Sequence, residues 1–322
     1  MGKFILLISR YDFAGSGHKI AEAVSLNSNH YVLPIITNPY LFPKNIRRTP
    51  SLYKQDDRGK IICYTGDPER IQSLVDKADI IHFKGDSVPT DDFIQGVVIP
   101  KDKPIIITTA GSFFRRGSSD VAMPKHKISE YLDVTDFRSC ITPDLNYPEF
   151  KAQYIPHTIE SFNNVWKNAK IPTIAHCKSM NNKKGTDQFL QATKILKDKG
   201  YKFYVDIIEN VSHTESMQRK SEATIFFDEM SGCGWFGLSA IEAISMGIPT
   251  ISYMSETALK QGNIKDIPVI NCGNTAESLV ECLKPLLMKD LYDISKKTFE
   301  YAQSTYSYEV VGKQWSDIYD SL

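Results

Sequence analysis

Short, continuously apolar runs recur along this chain, each followed by a polar or glycine-bearing turn and then by a segment with helical spacing. KFILLIS (3–9) opens the pattern, and RYDFAGSGHKIAEAVS follows it, with glycines ahead of an amphipathic helical stretch. HYVLPII, KIICY, ADIIHFKG, KPIIITTAG and SCITPD continue the series, separated by helical or irregular segments such as PERIQSLVDKA. A strand apolar on both faces must be covered on both, which is the condition met by a parallel sheet with crossover helices. After the polar stretch ESFNNVWKNAK the series restarts: IPTIAHC, YKFYVDII, ATIFFDE, PTISYM and PVINC, with helical TDQFLQATKILKDKG, SHTESMQRKSE and LSAIEAISMG among them. The pattern predicts an α/β chain of two domains, 1–165 and 166–305. The last segment, 306–322, contains the helical stretch SYEVVGKQWSDIYDSL, has apolar residues at helical spacing and is expected to cross back to the first domain. With 322 residues and 42% hydrophobic content the chain can fill two cores.

Other classes fall away on charge and cysteine placement. Lys plus Arg and Asp plus Glu both total 38, so no net positive charge favours nucleic acid, and none is expected as a partner. Cys63, Cys140, Cys177, Cys233, Cys272 and Cys282 are scattered without CxxC pairs and read as reduced thiols. The first apolar run is too short for a signal peptide or a membrane span. A cytoplasmic protein is expected.

The densest motif is GCGWFGLSAIEAISMGIP (232–249). Gly232, Gly234 and Gly237 satisfy G-x-G-x-x-G, and Glu256 lies about 20 residues on, where a dinucleotide fingerprint places its ribose acid. The context speaks against that reading: MSGC separates the turn from ATIFFDE, and roughly 90 residues remain for a six-stranded nucleotide domain. The second reading makes Gly237 the mouth of a short helix that Ser239 caps, Gly247 ends in a left-handed turn, and Pro249 stops. The amides of Gly237, Leu238 and Ser239, with the helix dipole, then form an anion site suited to a diphosphate. Glu242 lies one turn further on. Its carboxylate suits a ribose diol, and Ser239-x-x-Glu242 equally suits a capping box; the spacing leaves both open.

GWFGLSAIEAISMGIPTISY resembles the signature of retaining glycosyltransferases of the family-four (glycosyl transferases group 1) type. AHCKSMNNKKGTDQFLQATKIL, ADIIHFKGD, KPIIITTAGSFFR and AQYIPHTI are similar to further landmarks of that family, in the same order along most of the chain. The resemblance implies a GT-B fold, two Rossmann-like domains with parallel sheets facing a cleft, the first on the acceptor side and the second binding the nucleotide sugar. It makes Glu242 the ribose ligand, Gly237, Leu238 and Ser239 the diphosphate cradle, and Lys184 the cation that neutralises the leaving group, with Lys183 its rival. Three positions depart from the family: Gly234 stands where a first glutamate is usual, Asn181 where an arginine is, and Ala110, beside Gly111, where a histidine is. Asp228 and Glu229 are then the acids available to hold the donor sugar.

In the first domain Gly15, Ser16 and Gly17 form a glycine-bearing turn after the first strand, where ligands of parallel sheets gather. The glycines suit close approach of substrate, or simply a tight turn. His18 reads as a general acid/base or as a helix-start residue, His82 as an acceptor-side or a core residue, and Arg115 and Arg116 as charge near an acceptor or a solvated pair. No DxD motif and no metal-ligand spacing occurs, so no metal and no cofactor is expected. The resemblance implies a hexosyltransferase using a UDP- or GDP-type nucleotide sugar, with a glycan or glycolipid acceptor and, for the latter, peripheral contact with the inner face of a membrane. Gly234 and Ala110 keep open a sugar-nucleotide-binding protein with impaired catalysis, and the fold also serves sugar-nucleotide epimerases.

Overall fold

The structure, a computed structural model, describes residues 1–10, 12, 15–37, 53–55, 61–64, 67–85, 96–110, 133–178, 184–230 and 234–322. Two compact units form, Met1–Glu160 together with Tyr308–Leu322, and Ser161–Ser307. The first boundary lies earlier than the sequence places it. Val165 donates its amide to Met246 and Trp166 its indole N–H to Thr224, so the polar stretch around 160–170 is fastened to the second unit.

In the first unit the strands are β1 (Phe4–Ser9), β2 (Tyr31–Ile36), β3 (Tyr53–Gln55), β4 (Ile61–Tyr64), β5 (Ile80–Lys84), β6 (Ile105–Thr109), β7 (Phe137–Cys140) and β8 (Gln153–Tyr154). They lie in the order β3-β4-β2-β1-β5-β6-β7-β8, parallel throughout except for β3 against β4. Period-two alternation sorts the strand side chains onto two faces. Leu6, Ile8, Ile81, Phe83 and Ile107 pack with Ile71 and Val75 of helix α2 (Pro68–Lys77). Ile5, Leu7, Ile80 and Ile106 pack with Ile20 and Val24 of α1 (Ser16–Asn27) and with residues near the chain's end. Burial on both faces is why these strands carry no polar alternation.

The second unit has β9 (Thr173–Cys177), β10 (Tyr204–Ile208), β11 (Ile225–Phe227), β12 (Thr250–Ser252) and β13 (Ile270–Asn271), all parallel, in the order β10-β9-β11-β12-β13. Its helices are α3 (Thr186–Asp198), α4 (His213–Ser221), α5 (Leu238–Ser245), α6 (Glu256–Gln261), α7 (Ala276–Leu286) and α8 (Tyr292–Tyr306). Phe189, Leu196, Ile225, Phe227, Leu279 and Leu283 are central to its core.

At Ser307 the backbone turns extended (φ −63°, ψ 156°) and α9 (Tyr308–Ser321) begins. It belongs to the first unit, lying along α1, where Trp315 and Tyr319 are buried. Gly312 makes that approach possible, since a Cβ there would strike the carbonyl of Ala23.

Candidate functional site

In an open parallel sheet the strand order reverses at one point, and the loops on either side leave in opposite directions and open a crevice there. In the second unit that point lies between β9, whose crossover runs outward to β10, and β11, whose crossover runs the other way to β12. Lys184 stands one residue before the end of the loop after β9, and the loop after β11 ends at Gly237. The two candidate segments therefore meet at the place where the sheet topology makes a binding crevice.

Asp228, immediately after β11 and 0% exposed, joins them. Its Oδ1 accepts from Lys184 Nζ at 2.5 Å, and its Oδ2 accepts from the Gly237 amide at 2.8 Å. Burial works against the Lys184 ammonium, but the Asp228 carboxylate, helped by Glu229, holds its pKa above the ordinary 10.5. Lys184 is thus a permanent cation, with 18% of its side chain still exposed. These contacts qualify one expectation: the Gly237 amide is not part of a free cradle, because an internal carboxylate occupies it. Asp228 meets a protein donor on each of its oxygens. Glu229 is half-buried beside it, and its carbonyl accepts from the Tyr253 amide and the Ser252 hydroxyl.

Helix α5 starts from Gly237 as its N-cap, so Ser239 stands within the first turn. The capping box is overturned by that shift: Ser239 does not occupy the cap position, and Glu242 stands two residues beyond the place from which a capping-box side chain returns to Gly237. The amides of Leu238 and Ser239, first in the helix, have no intrahelical acceptor. At the other end Gly247 (φ +78°) sits just beyond the last turn, donating to the Ile244 carbonyl, while the Ile248 amide donates to Ala243. This pairing is the Schellman termination expected of a glycine there.

Glu242 is 4% exposed and is engaged from α4: His213 Nε2 lies 2.8 Å from Oε1, and Lys220, itself 2% exposed, pairs with Oε2. Sequence reasoning missed both partners, since α4 reads only as a polar helix. A lysine buried on such a helix is found by its burial, which the sequence does not display. Gly234 has φ +68°, and a Cβ there would sit 2.7 Å from the side chain of Ser255. A side chain at that point would be strained by the backbone and would crowd Ser255, so glycine suits position 234 better than a glutamate does.

His176 on β9 was also missed. It is fully buried, donates Nδ1–H to the Phe227 carbonyl at 3.1 Å, and accepts from the Thr186 hydroxyl at 2.8 Å; burial pushes its pKa down to about 4. A neutral imidazole thus ties β9 to β11 and to the first residue of α3, just after Lys184.

In the first unit the strand order reverses between β1 and β5. Asp12, which sequence reasoning passed over, is 4% exposed there. It accepts from the Gly17 amide at 2.7 Å, the His18 amide at 3.3 Å, the Ser16 hydroxyl at 3.3 Å and Lys84 Nζ at 3.1 Å, and His18 Nδ1 is 3.4 Å away. Burial would raise its pKa, yet Lys84 and these donors hold it well below the usual carboxylate range. Gly15, the N-cap of α1 at φ +65°, donates to the Asp12 carbonyl. The glycine turn thus closes on Asp12 instead of presenting the Gly17 amide to a substrate. His82 is a core residue: fully buried, it bonds the Tyr319 hydroxyl at 2.9 Å and the Thr108 hydroxyl at 2.6 Å, and burial lowers its pKa to about 3. Ala110 is half-buried directly after β6. Asn181, Lys183, Gly111, Arg115, Arg116 and Gly232 lie outside the described residues. Among the described residues no group of three or more His, Cys, Asp or Glu side chains is placed to hold a metal ion.

No family model and no curated protein matches the chain. Solved structures do. A glycosyltransferase from Rickettsia africae superposes with a TM-score of 0.66 at 14% identity, over 99% of this chain and 98% of that one. Anabaena Alr3699/HepE in complex with UDP-glucose gives 0.62 at 9% identity, over 99% and 100%. S. aureus TarM in complex with fondaparinux, alpha-GlcNAc-glycerol and UDP gives 0.60 at 12% identity, over 78% of this chain; the match spans 58% of the TarM chain. At such identities the likeness carries the fold: an α/β chain with two parallel sheets, as in GT-B glycosyltransferase structures.

Proposed function

We propose that the chain is a retaining glycosyltransferase that moves a hexose from a nucleoside-diphosphate sugar to a glycan or glycolipid acceptor, without a metal ion or other cofactor. The observation that carries this reading is the convergence of the Lys184 ammonium and the α5 N-terminus at the strand-order reversal of the second unit. A departing nucleoside diphosphate develops negative charge, and preplaced donors that meet it lower the barrier. Lys184 and the Leu238 and Ser239 amides supply that charge and those donors, the work a divalent ion does elsewhere. Glu242 receives the ribose diol on its Oε1 side, where His213 now stands. A UDP-type donor is favoured because the HepE and TarM structures hold UDP-glucose and UDP. Retention rests on the family resemblance. A cytoplasmic site of action, with peripheral contact at the inner membrane face for a lipid-linked acceptor, accords with the cysteine pattern; among the described residues no helix is long and apolar enough to cross a membrane.

The test is donor turnover with UDP-, GDP- and ADP-sugars, read as release of nucleoside diphosphate and its growth on adding acceptors. Binding without turnover across acceptors would point to the impaired binding protein, and an altered sugar still on its nucleotide to an epimerase. Calorimetry of Glu242→Gln should show nucleotide binding weakened by about 1.5 to 3 kcal/mol, the worth of charge-assisted bonds. That substitution also strips Lys220 of its counter-charge, so the titration belongs well below the variant's melting temperature. Wild-type affinity would make Glu242 a structural ion-pair residue only.

A further inference from the structure

The two units share a device at their strand-order reversals. In each, a carboxylate on the strand-to-helix connection bridges a lysine from across the reversal and an amide at the start of its own helix. In the first unit Asp12 joins Lys84 Nζ (3.1 Å) to the Gly17 amide (2.7 Å) at α1; in the second, Asp228 joins Lys184 Nζ (2.5 Å) to the Gly237 amide (2.8 Å) at α5. Lysine ammonium and helix N-terminus are the two components of an anion site, and in both places an internal anion fills it.

What separates the two is access. The Lys84 side chain is 3% exposed and that of Lys184 18%, while both aspartate side chains are at 2% or below. Asp12 also takes a second amide, that of His18, whereas Asp228 leaves the Leu238 and Ser239 amides uncovered. The first device is sealed and the second is open on its lysine side. We infer that Asp228 is a resident stand-in for the donor's diphosphate: it holds the Lys184 ammonium and the head of α5 in place while the site is empty, and yields Lys184 to the incoming phosphate oxygens. This inference rests on the reading of the crevice as the donor site. Asp228 keeps the Gly237 amide throughout, so its charge stays beside the bound diphosphate and opposes it. Affinity for the leaving nucleotide is thereby held down, which favours its release after transfer.

The test uses the whole chain and two probes, inorganic pyrophosphate and UDP. Asp228→Asn keeps an oxygen for the Gly237 amide and removes the charge. Both probes should then bind about tenfold tighter, the scale of one unit charge removed a few ångströms from the ligand in a partly solvated site, and with a steeper salt dependence. The gain should vanish when Lys184→Gln is added. Unchanged or weaker binding of both probes by Asp228→Asn, with the wild type binding normally, overturns the inference and leaves the donor-site reading standing. A variant that binds both probes like wild type but loses only UDP-sugar affinity restores Asp228 to sugar contact and also overturns it. If neither probe binds any of these proteins, the inference falls with the reading beneath it. Should Asp228→Asn fail to fold, the wild type still decides: the Lys184 side-chain nitrogen resonance should shift, with loss of its hydrogen-bond coupling to Asp228, on adding pyrophosphate. A resonance that keeps its position and coupling under saturating probe overturns the proposal.

Discussion

His176 and His82, one in each unit, are held neutral by burial, at about 4 and about 3 against an ordinary value of 6.5. As pH falls below 6.5 the unfolded chain takes up protons that the native imidazoles refuse, so stability is full above that value and drains away down to the native values. Each histidine is worth on the order of 3 kcal/mol over that span. Urea midpoints should therefore drop steeply between pH 7 and pH 4.5, and a flat profile would show that neither imidazole is held neutral in the native state. These residues also mark the limit of linear reasoning. The opening helix of the glycine-rich motif, its anion-binding potential and its terminating Gly247 are local properties and stand in the sequence. That Asp228 turns back onto the Gly237 amide, or that Lys220 is buried against Glu242, depends on which strand ends and helix faces come together, and nothing in the spacing records it.

Elements were legible wherever their side chains are buried on a regular period. Every strand from β9 to β13 coincides with an apolar run in the sequence, whereas β3 and β8, short and lacking such runs, do not. Helix α9 was expected to return to the first domain, but its closeness to α1 was not, because the residue that permits it is a lone helical glycine. Gly312→Ala should force α1 and α9 apart, costing about 1 to 3 kcal/mol as overpacking of a tight contact does. Since a methyl would meet backbone, no rotamer change relieves it. Thermal melts read the cost, and hydrogen exchange should show loosened protection in α1 and α9, with β9 to β13 unaffected. Equal loss of protection in both units would mean that the glycine serves something wider than this helix pair.

At the scale of the molecule, the second unit is one continuous segment, Ser161–Ser307, while the first is assembled from Met1–Glu160 and Tyr308–Leu322. The alternating apolar pattern foretold two α/β halves; the exact seams were set by where the linker's polar side chains find partners, as Trp166 does at Thr224. A fragment of residues 161–307 should fold alone, with cooperative unfolding and UDP binding within about tenfold of the whole chain, since Lys184, Asp228, Glu242 and their partners all lie inside it. A fragment that stays unfolded by circular dichroism would show that the second unit needs the first. The C-terminal placement of α9 also sets an order of events during synthesis. At about 5 to 20 residues per second, the ribosome adds the intervening segment and α9 over roughly ten to thirty seconds after β8 has emerged. Through that interval the face of the first sheet that Trp315 and Tyr319 will cover stands open, while the later-made unit has everything it needs to fold. The half of the chain that is translated first is thus completed last, and its waiting sheet is where a nascent-chain chaperone would find its apolar target.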